Sequence, residues 1–555
     1  MSHPLLDKHR ATLDGALHAI ATRGYWSPYS EMPSPKAYGE TAAAEGQRAY
    51  AAHLGQDFVL DQPGQTGWGG KEVSPYGSPL DVRYPLCHPE ALVAAGLAAM
   101  PGWQAVGAEG RTGLCLEMLA RLNRQSFELG HAVMQTTGQG WMMAFQAGAP
   151  HAQDRGLEAV AYAWREQSFV PAEATWEKPQ GKNPPLRMKK HFEVVGRGVG
   201  LVIGCGTFPT WNTYPGLFAA LATGNAVIVK PHSNAILPAA ITVRTLRAVL
   251  AENGIDPNLV TLCVTDEHRT TQALATHPDV KSVDFTGGNA FGQWLITHCQ
   301  QAQVYAELAG VNHLLIDSTD AYQAMLGNLA FTLSLYSGQM CTTTQAILVP
   351  AGGIDTDEGH KSYDAVCEDL GQAIARFLSK TEVACAVLGA IQSDATVDRI
   401  AHAHSGQLGR VVLASQRLEH PDFPAARVHT PVLLACDAAD EAAYMEERFG
   451  PISLVVKVAD TAAGIALSER IVRQHGALTA GVYSTRAEVI EAMTQATWRG
   501  KVALSINLTS GVFVNQSSAF SDYHGTGGNP AANAAYADSA FVANRFRVVQ
   551  RRYHV

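Results

Sequence analysis

The chain has 555 residues, 46% hydrophobic and 16% charged, with a formal net charge of −9 and a pI near 6.2. At roughly 150 residues per domain, this length holds about two to four domains. The acidic balance argues against a nucleic-acid binder, which carries a basic face. Nine cysteines occur without a C-x-x-C pair and there is no H-E-x-x-H, so neither a disulfide framework nor a metal site is expected. His402 and His404 lie in an Ala/His/Ser/Gly stretch with no carboxylate close by. No apolar run approaches the roughly 18 residues of a membrane span. The first residues, MSHPLLDKHRATLDGAL, carry charges where a signal peptide needs an apolar core. A cytoplasmic location, where free thiols persist, is the expectation.

Residues 4–24 read as one amphipathic helix with Leu6, Leu13, Leu17 and Ile20 on a face and Gly24 as its stop. The next sixty or so residues are rich in Gly, Pro and aromatics. Aromatics are unusual in disordered linkers, so this stretch reads as an ordered extension wrapping a larger body, with no catalytic motif of its own. Helical spacing follows from Pro89 to about residue 167. The Pro- and Lys-rich EKPQGKNPPLRMKKH at 177–191 is too polar for a core and reads as a protruding arm or hairpin.

Then the period changes. Short β-branched runs at 199–204, 226–230, 259–264, 281–285 and 303–308 alternate with segments long enough for crossover helices. Repeated β-α units imply a parallel, doubly wound sheet that binds ligands at the carboxyl ends of its strands. Further alternation makes a second α/β body from about 309 to 510. The tail FVANRFRVVQRRYHV reads as an edge strand that pairing with another subunit would cover, its arginines solvated.

One stretch organises the chemistry. SGQMCTTTQ places Cys341 after a Ser-Gly-Gln turn and before the strand AILVP, a place where a thiolate can serve as nucleophile. Alone, any cysteine is more often a packing residue, in roughly four cases of five. Its company is what counts: Asn212 in FPTWNTYP, Glu307 in AELAG and Glu447 in EERFGP supply an oxyanion donor, a base and a cofactor clamp. Gly287 and Gly288 in FTGGNAFG follow a strand and open a helix, where backbone can approach a phosphate. Lys230, at the end of AVIVK, could meet a ribose or a phosphate, or be a solvated strand end. The glycines at 196, 198 and 200 precede a strand and do not make a dinucleotide fingerprint.

FPTWNTYP, GNAVIVKP, FTGG, AELAG, SGQMC, EERFGP, LTAGVYS and GVFVN occur in the order and approximate spacing of the aldehyde dehydrogenase superfamily, which the chain resembles over about residues 90–545. The YWSPYSE extension and the ending AFSDYHGTGGNPA further resemble the PaaN-type proteins of bacterial phenylacetate degradation. The resemblance implies two Rossmann-type, doubly wound α/β domains plus a β oligomerisation arm. Residues 1–88 would be an N-terminal extension, 89–308 the NAD(P)-binding domain with its arm at about 177–195, and 309–510 the catalytic domain. Residues 511–555 would return to the cofactor domain and add an oligomerisation strand. It implies that Cys341 attacks the aldehyde carbon, that Asn212 and the Cys341 backbone N–H hold the oxyanion, and that Glu307 activates the hydrolytic water. Lys230 and Glu447 would hold the riboses, with Phe449, Trp211, Ser233, Gly287 and Gly288 completing the cofactor set.

Three departures from the pattern carry expectations. Ser233 stands where many NAD-preferring members have a glutamate, which removes repulsion against a 2′-phosphate and admits NADP as well as NAD. The stretch from Asn212 to Lys230 is short, which implies a wider substrate funnel. AFSDYHGTGG replaces the usual PFGG-type ending, so a substrate contact at Phe520 is not carried over. The expected activity is oxidation of an aldehyde to an acid by a homo-oligomer, with a CoA-linked semialdehyde as substrate. Lys189, Lys190 and the C-terminal arginines are the candidate cations for its anionic handle. The alternatives are CoA-acylating oxidation and a catalytically idle protein on the same fold.

Overall fold

A computed structural model describes residues 3–555. Its organising layer is a five-stranded parallel sheet whose spatial order is Val260–Leu262, Ala226–Lys230, Val199–Ile203, Val280–Thr286 and Gln303–Glu307. Residues along these strands are buried almost without interruption, as expected where crossover helices cover both faces. The first strand in sequence lies in the middle, so the chain winds outward in both directions. That puts a crevice at the carboxyl ends, beside Lys230, Gly287 and Glu307.

A second sheet has seven strands in the order Arg410–Leu413, Val432–Asp437, Ile452–Val458, Ala346–Pro350, His313–Ile316, Thr479–Tyr483 and Ala503–Ile506. All its pairings are parallel except the edge strand Arg410–Leu413. Both α/β layers therefore match the two α/β bodies expected from the sequence. The arm is a hairpin, Glu173–Gln180 with Asn183–Gly196, and the terminal strand Phe546–His554 lies antiparallel along its second strand.

The amino-terminal region departs from expectation. It forms two helices, Pro4–Lys8 and Arg10–Thr22, broken at His9. The second ends on Arg23 in a left-handed conformation, not on Gly24. Leu6, Leu13 and Ile20 are nonetheless buried, because the break preserves the apolar face. Further on, the buried carboxylate of Glu72 accepts from the N–H groups of Ile236 and Leu237 and so caps the helix Leu237–Glu252. Burial pushes this carboxyl up to about 7, against the lowering pull of Tyr84 and those backbone donors.

The C-terminal arginines are not uniformly solvated. Arg545 is fully buried and makes two parallel hydrogen bonds to Asp284, of 2.6 and 2.8 Å, while its guanidinium lies over the rings of Tyr305 and Phe541. Bidentate geometry of this kind is what makes a buried ion pair tolerable. It ties the last segment to the middle of the five-stranded sheet. No single helix among the described residues is long and apolar enough to cross a membrane.

Candidate active site

Cys341 owes its place to a strained turn. Tyr336, Ser337 and Gly338 are consecutive residues with positive φ, of 53°, 48° and 62°. Two non-glycine residues in that region cost on the order of 1–3 kcal/mol each and persist only where surroundings over-determine them. Here they do. Tyr336 donates to the Thr137 carbonyl (2.6 Å), and Ser337 Oγ reaches the carbonyls of Leu388 and His429. A Cβ at Gly338 would lie 2.2 Å from the Gly450 carbonyl oxygen, so only glycine fits. The far side is pinned by Asn312, whose amide donates to the Cys341 carbonyl at 2.7 Å. Gln345, at the mouth of the next strand, accepts from Arg448 N–H and donates to the Glu446 carbonyl. The cysteine loop and the loop carrying Glu447 are thus fastened together.

Glu307 ends the last strand of the five-stranded sheet, and the strand's end brings its carboxylate to the thiol. Asn212 Nδ2 donates to Glu307 Oε2 at 3.3 Å. His524 Nε2 lies 3.1 Å from the same oxygen and 3.8 Å from Cys341 Sγ. Burial and the adjacent Glu307 carboxylate push the Cys341 thiol well above the usual thiol range. Burial alone would raise Glu307 as well, towards neutrality. The hydrogen bond of His524 and, whenever that ring is protonated, its charge, together with the thiol's own hydrogen bond and the charge of Arg155, outweigh it, and the net direction is down. The proton therefore rests on sulfur, beside an ionised carboxylate. Glu307 Oε1 is buried with no protein partner. That orphan acceptor is where a water would find its base.

The structure thus brings together Cys341, Glu307 and Asn212, and adds His524. No sequence motif assigns His524 a role; its one local signal is that AFSDYHGTGG, in place of a PFGG-type ending, carries a histidine.

A cavity of about 540 Å³ opens above the thiol. Trp211, Asn212, Met340, Cys341 and His524 line its floor, and Tyr25, Trp26, Ser27, Tyr29 and Glu31 from the extension form part of its wall. The extension, read as lacking a functional motif, therefore encloses the site. No residue of the lining is Lys or Arg. Of the expected cations for an anionic handle, Lys189 pairs with Glu173 on the hairpin and Arg551 with Glu193. Trp211, placed by expectation with the cofactor, packs its ring against His524 and under Arg155 in the cavity wall. Phe520 is fully buried, its ring against Trp26 and its N–H on Glu158, so it anchors the extension and lies outside the lining of this cavity.

On the other side of the thiol, Glu447 and Phe449 line a narrow cleft with Gly310, Gly338 and Met340. Burial pushes the Glu447 carboxyl up to about 7, opposed by Arg399 and the Gly310 N–H. Lys230 stands half-buried at its strand end, where burial lowers its ammonium against the pull of Cys263 and Asp266. Ser233 lies just beyond, also half-buried. The Gly287 N–H is taken by the Glu307 carbonyl at 3.0 Å and cannot serve a phosphate. Gly288 begins the helix Asn289–His298 with no side-chain cap, and a Cβ there would meet nothing within 4 Å. A cation and an open helix N-terminus at the carboxyl ends of one sheet are groups that could hold a dinucleotide's phosphates.

The family model described as "Aldehyde dehydrogenase family" matches residues 88–536. The chain belongs to the aldehyde dehydrogenase family. This aldehyde dehydrogenase is similar to the crystal structure of an NAD-dependent aldehyde dehydrogenase from Burkholderia multivorans. The two are 57% identical, each covered over 100% of its length, with a TM-score of 0.98. Among curated relatives, an N-succinylglutamate 5-semialdehyde dehydrogenase of Chromobacterium violaceum is 28% identical over 390 residues, 68% of this chain and 73% of its own. The fold alone is shared with a 1-pyrroline-5-carboxylate dehydrogenase from Thermus with bound NAD. That match has a TM-score of 0.72 at 18% identity, over 96% of this chain and 99% of the other.

Proposed function

We propose that this chain oxidises an aldehyde to a carboxylic acid with NAD or NADP, through a thiohemiacetal and then a thioester on Cys341. The observation that carries the reading is Cys341 and Asn212 at the floor of one cavity with the buried Glu307 carboxylate bonded to that amide, and Glu447 in a neighbouring cleft. Lys230, Ser233 and Gly288 would hold the adenosine half of the cofactor, and Glu447 and Phe449 the nicotinamide half. When bound, the nicotinamide supplies the acceptor for the hydrogen leaving the aldehyde carbon.

The residues of the chain do the rest. The thiol loses its proton, and sulfur attacks the aldehyde carbon. The negative charge that develops on the carbonyl oxygen falls to the Cys341 N–H and the Asn212 amide, which must let go of Glu307 to meet it. After oxidation, the orphan Glu307 Oε1 takes a proton from water, and the hydroxide so formed releases the acid from sulfur. That free acceptor favours hydrolysis over transfer to CoA.

The cavity wall supports a substrate with an uncharged, partly aromatic or acyl portion. A CoA-linked semialdehyde of aromatic catabolism fits this: its acyl chain is neutral, and its phosphates would lie beyond the wall. A short dicarboxylic semialdehyde would leave a carboxylate against Tyr, Trp and Met side chains, which is costly. The exposed apolar residues Val548, Val549 and Tyr553 on the terminal strand support a homo-oligomer, and the eight buried free cysteines suit a cytoplasmic enzyme. The test is a panel of semialdehydes, CoA-linked and free, run with NAD and NADP while reduced cofactor is followed. Turnover preferring the CoA-linked member is the expected result. A free aldehyde used equally well removes the CoA assignment, and no reduced cofactor with any aldehyde removes the whole reading.

A further inference from the structure

His524 takes no part in the reaction steps so far, yet it is firmly held at the site. Its main chain exchanges both hydrogen bonds with Tyr536, of 3.1 and 3.0 Å. Its ring stacks on Tyr536 at a centroid distance of 5.9 Å and meets Trp211 edge-on at 4.7 Å. It is 5% exposed. A ring packed on two aromatic neighbours cannot swing, so its Nε2 stays directed at the space between Cys341 Sγ and Glu307 Oε2.

We infer that His524 is a further catalytic residue: the base that takes the proton of the Cys341 thiol. The inference rests on the dehydrogenase reading and deepens its first step. The S–H bond breaks and its proton forms a new N–H at Nε2 of an imidazole already carrying hydrogen on Nδ1. The electron pair left on sulfur then forms the C–S bond to the aldehyde carbon, as the carbonyl π pair moves to oxygen. The imidazolium so formed donates from Nε2 into the gap between thiolate and carboxylate, at the distances of 3.8 and 3.1 Å observed.

The electrostatics require such a group. Were Glu307 itself to take the thiol proton, the carboxylate needed later by water would already be spent. Were the proton lost to solvent, two buried anions would face each other in a site of low dielectric. An imidazolium between them offsets one of the two charges. The other charged and titratable groups facing this point are Arg155, reached through Trp211 and paired with Glu158, together with Cys205, Glu447 and Tyr536. None of these hydrogen-bonds the thiol; Glu307 and His524 both do, and of the two only His524 leaves the carboxylate free for water. Thiolate formation against a histidine is an established way to ready a cysteine near neutral pH.

The test needs neither aldehyde nor cofactor. Cys341 is half-exposed and the other eight cysteines are buried, so iodoacetamide will mark Cys341 selectively, read by peptide mass. With its thiol held above the ordinary range, Cys341 would alkylate slowly at neutral pH unaided, so wild type should owe its rate near pH 7 to proton removal by His524 as sulfur attacks. His524→Gln should lose about 100-fold of that rate near pH 6.5 and recover it only on the alkaline side of the ordinary thiol range. His524→Ala supplies the second arm, since free imidazole should restore its alkylation while leaving the glutamine variant unchanged. A glutamine variant with the wild-type pH profile, or an alanine variant indifferent to imidazole, overturns the inference. Failure of wild type to oxidise any aldehyde would instead overturn the functional reading, because the alkylation profile does not depend on it.

Discussion

Asn212 and Glu307 are bonded to each other, amide nitrogen to carboxylate oxygen at 3.3 Å, before either has met a substrate. The donor meant for the oxyanion and the base meant for water thus occupy one another in this arrangement. Entry of an aldehyde must part them, leaving the amide for the oxygen and the carboxylate for water. Asn212→Ala is therefore expected to lower kcat by about 10²–10³-fold, the usual loss for one oxyanion donor. Its effect on KM should be small. Pre-steady-state formation of reduced cofactor checks this, since the loss should fall on the burst itself.

Glu307→Gln separates the two halves of the reaction. Only release of the acid needs the carboxylate, so steady turnover should fall while a burst of reduced cofactor appears or grows. In the wild type, the pKa of Glu307 is held below the ordinary carboxylate range, so the charged form is present above that range and lost only as pH falls through it. Deacylation, followed by rapid-quench measurement, should therefore show no loss attributable to Glu307 between about pH 8 and pH 5. Equal loss of burst and steady rate in the variant would mark a structural glutamate.

Cofactor choice turns on Ser233. With no carboxylate there and Lys230 at the same strand end, NADP should be accepted at least as well as NAD. Ser233→Glu should shift kcat/KM towards NAD by about tenfold or more, since a carboxylate beside a 2′-phosphate costs more than 1 kcal/mol. Side-by-side kinetics with the two cofactors decide it.

The buried pair Arg545 and Asp284 should matter to stability and not to chemistry. Asp284→Ala would strand a guanidinium in the core, a change that destabilises by about 3–5 kcal/mol. Denaturant unfolding should show it, and replacing both partners with apolar residues of similar volume should recover much of the loss.

Much of this architecture is legible in the sequence because parallel strands are buried on both faces and read as unbroken apolar runs. AVIVK and ISLVVKV need no partner to be recognised. Cys341, Glu307 and Asn212 stand out for a related reason, since each sits in a short motif at a strand end or turn. What stays hidden depends on contacts between distant segments. Arg545 reads as a solvated charge until the fold sets Asp284 against it, 261 residues away. Tyr25 to Glu31 carry no local pattern that announces a cavity wall. His524 becomes interesting only when Glu307, 217 positions earlier, arrives at 3.1 Å. The break at His9 was missed because a helix interrupted for one residue keeps its apolar face.

The central claim is covalent chemistry at Cys341, and mass spectrometry tests it most directly. Glu307→Gln is mixed with an aldehyde that wild type oxidises, together with NAD or NADP, quenched in acid within the first turnovers and digested. The peptide containing Cys341 should carry the mass of the acyl group in thioester linkage, and Cys341→Ala should carry none and show no turnover. An unmodified Cys341 peptide in an enzyme still reducing the cofactor, or an active Cys341→Ala enzyme, would contradict the account.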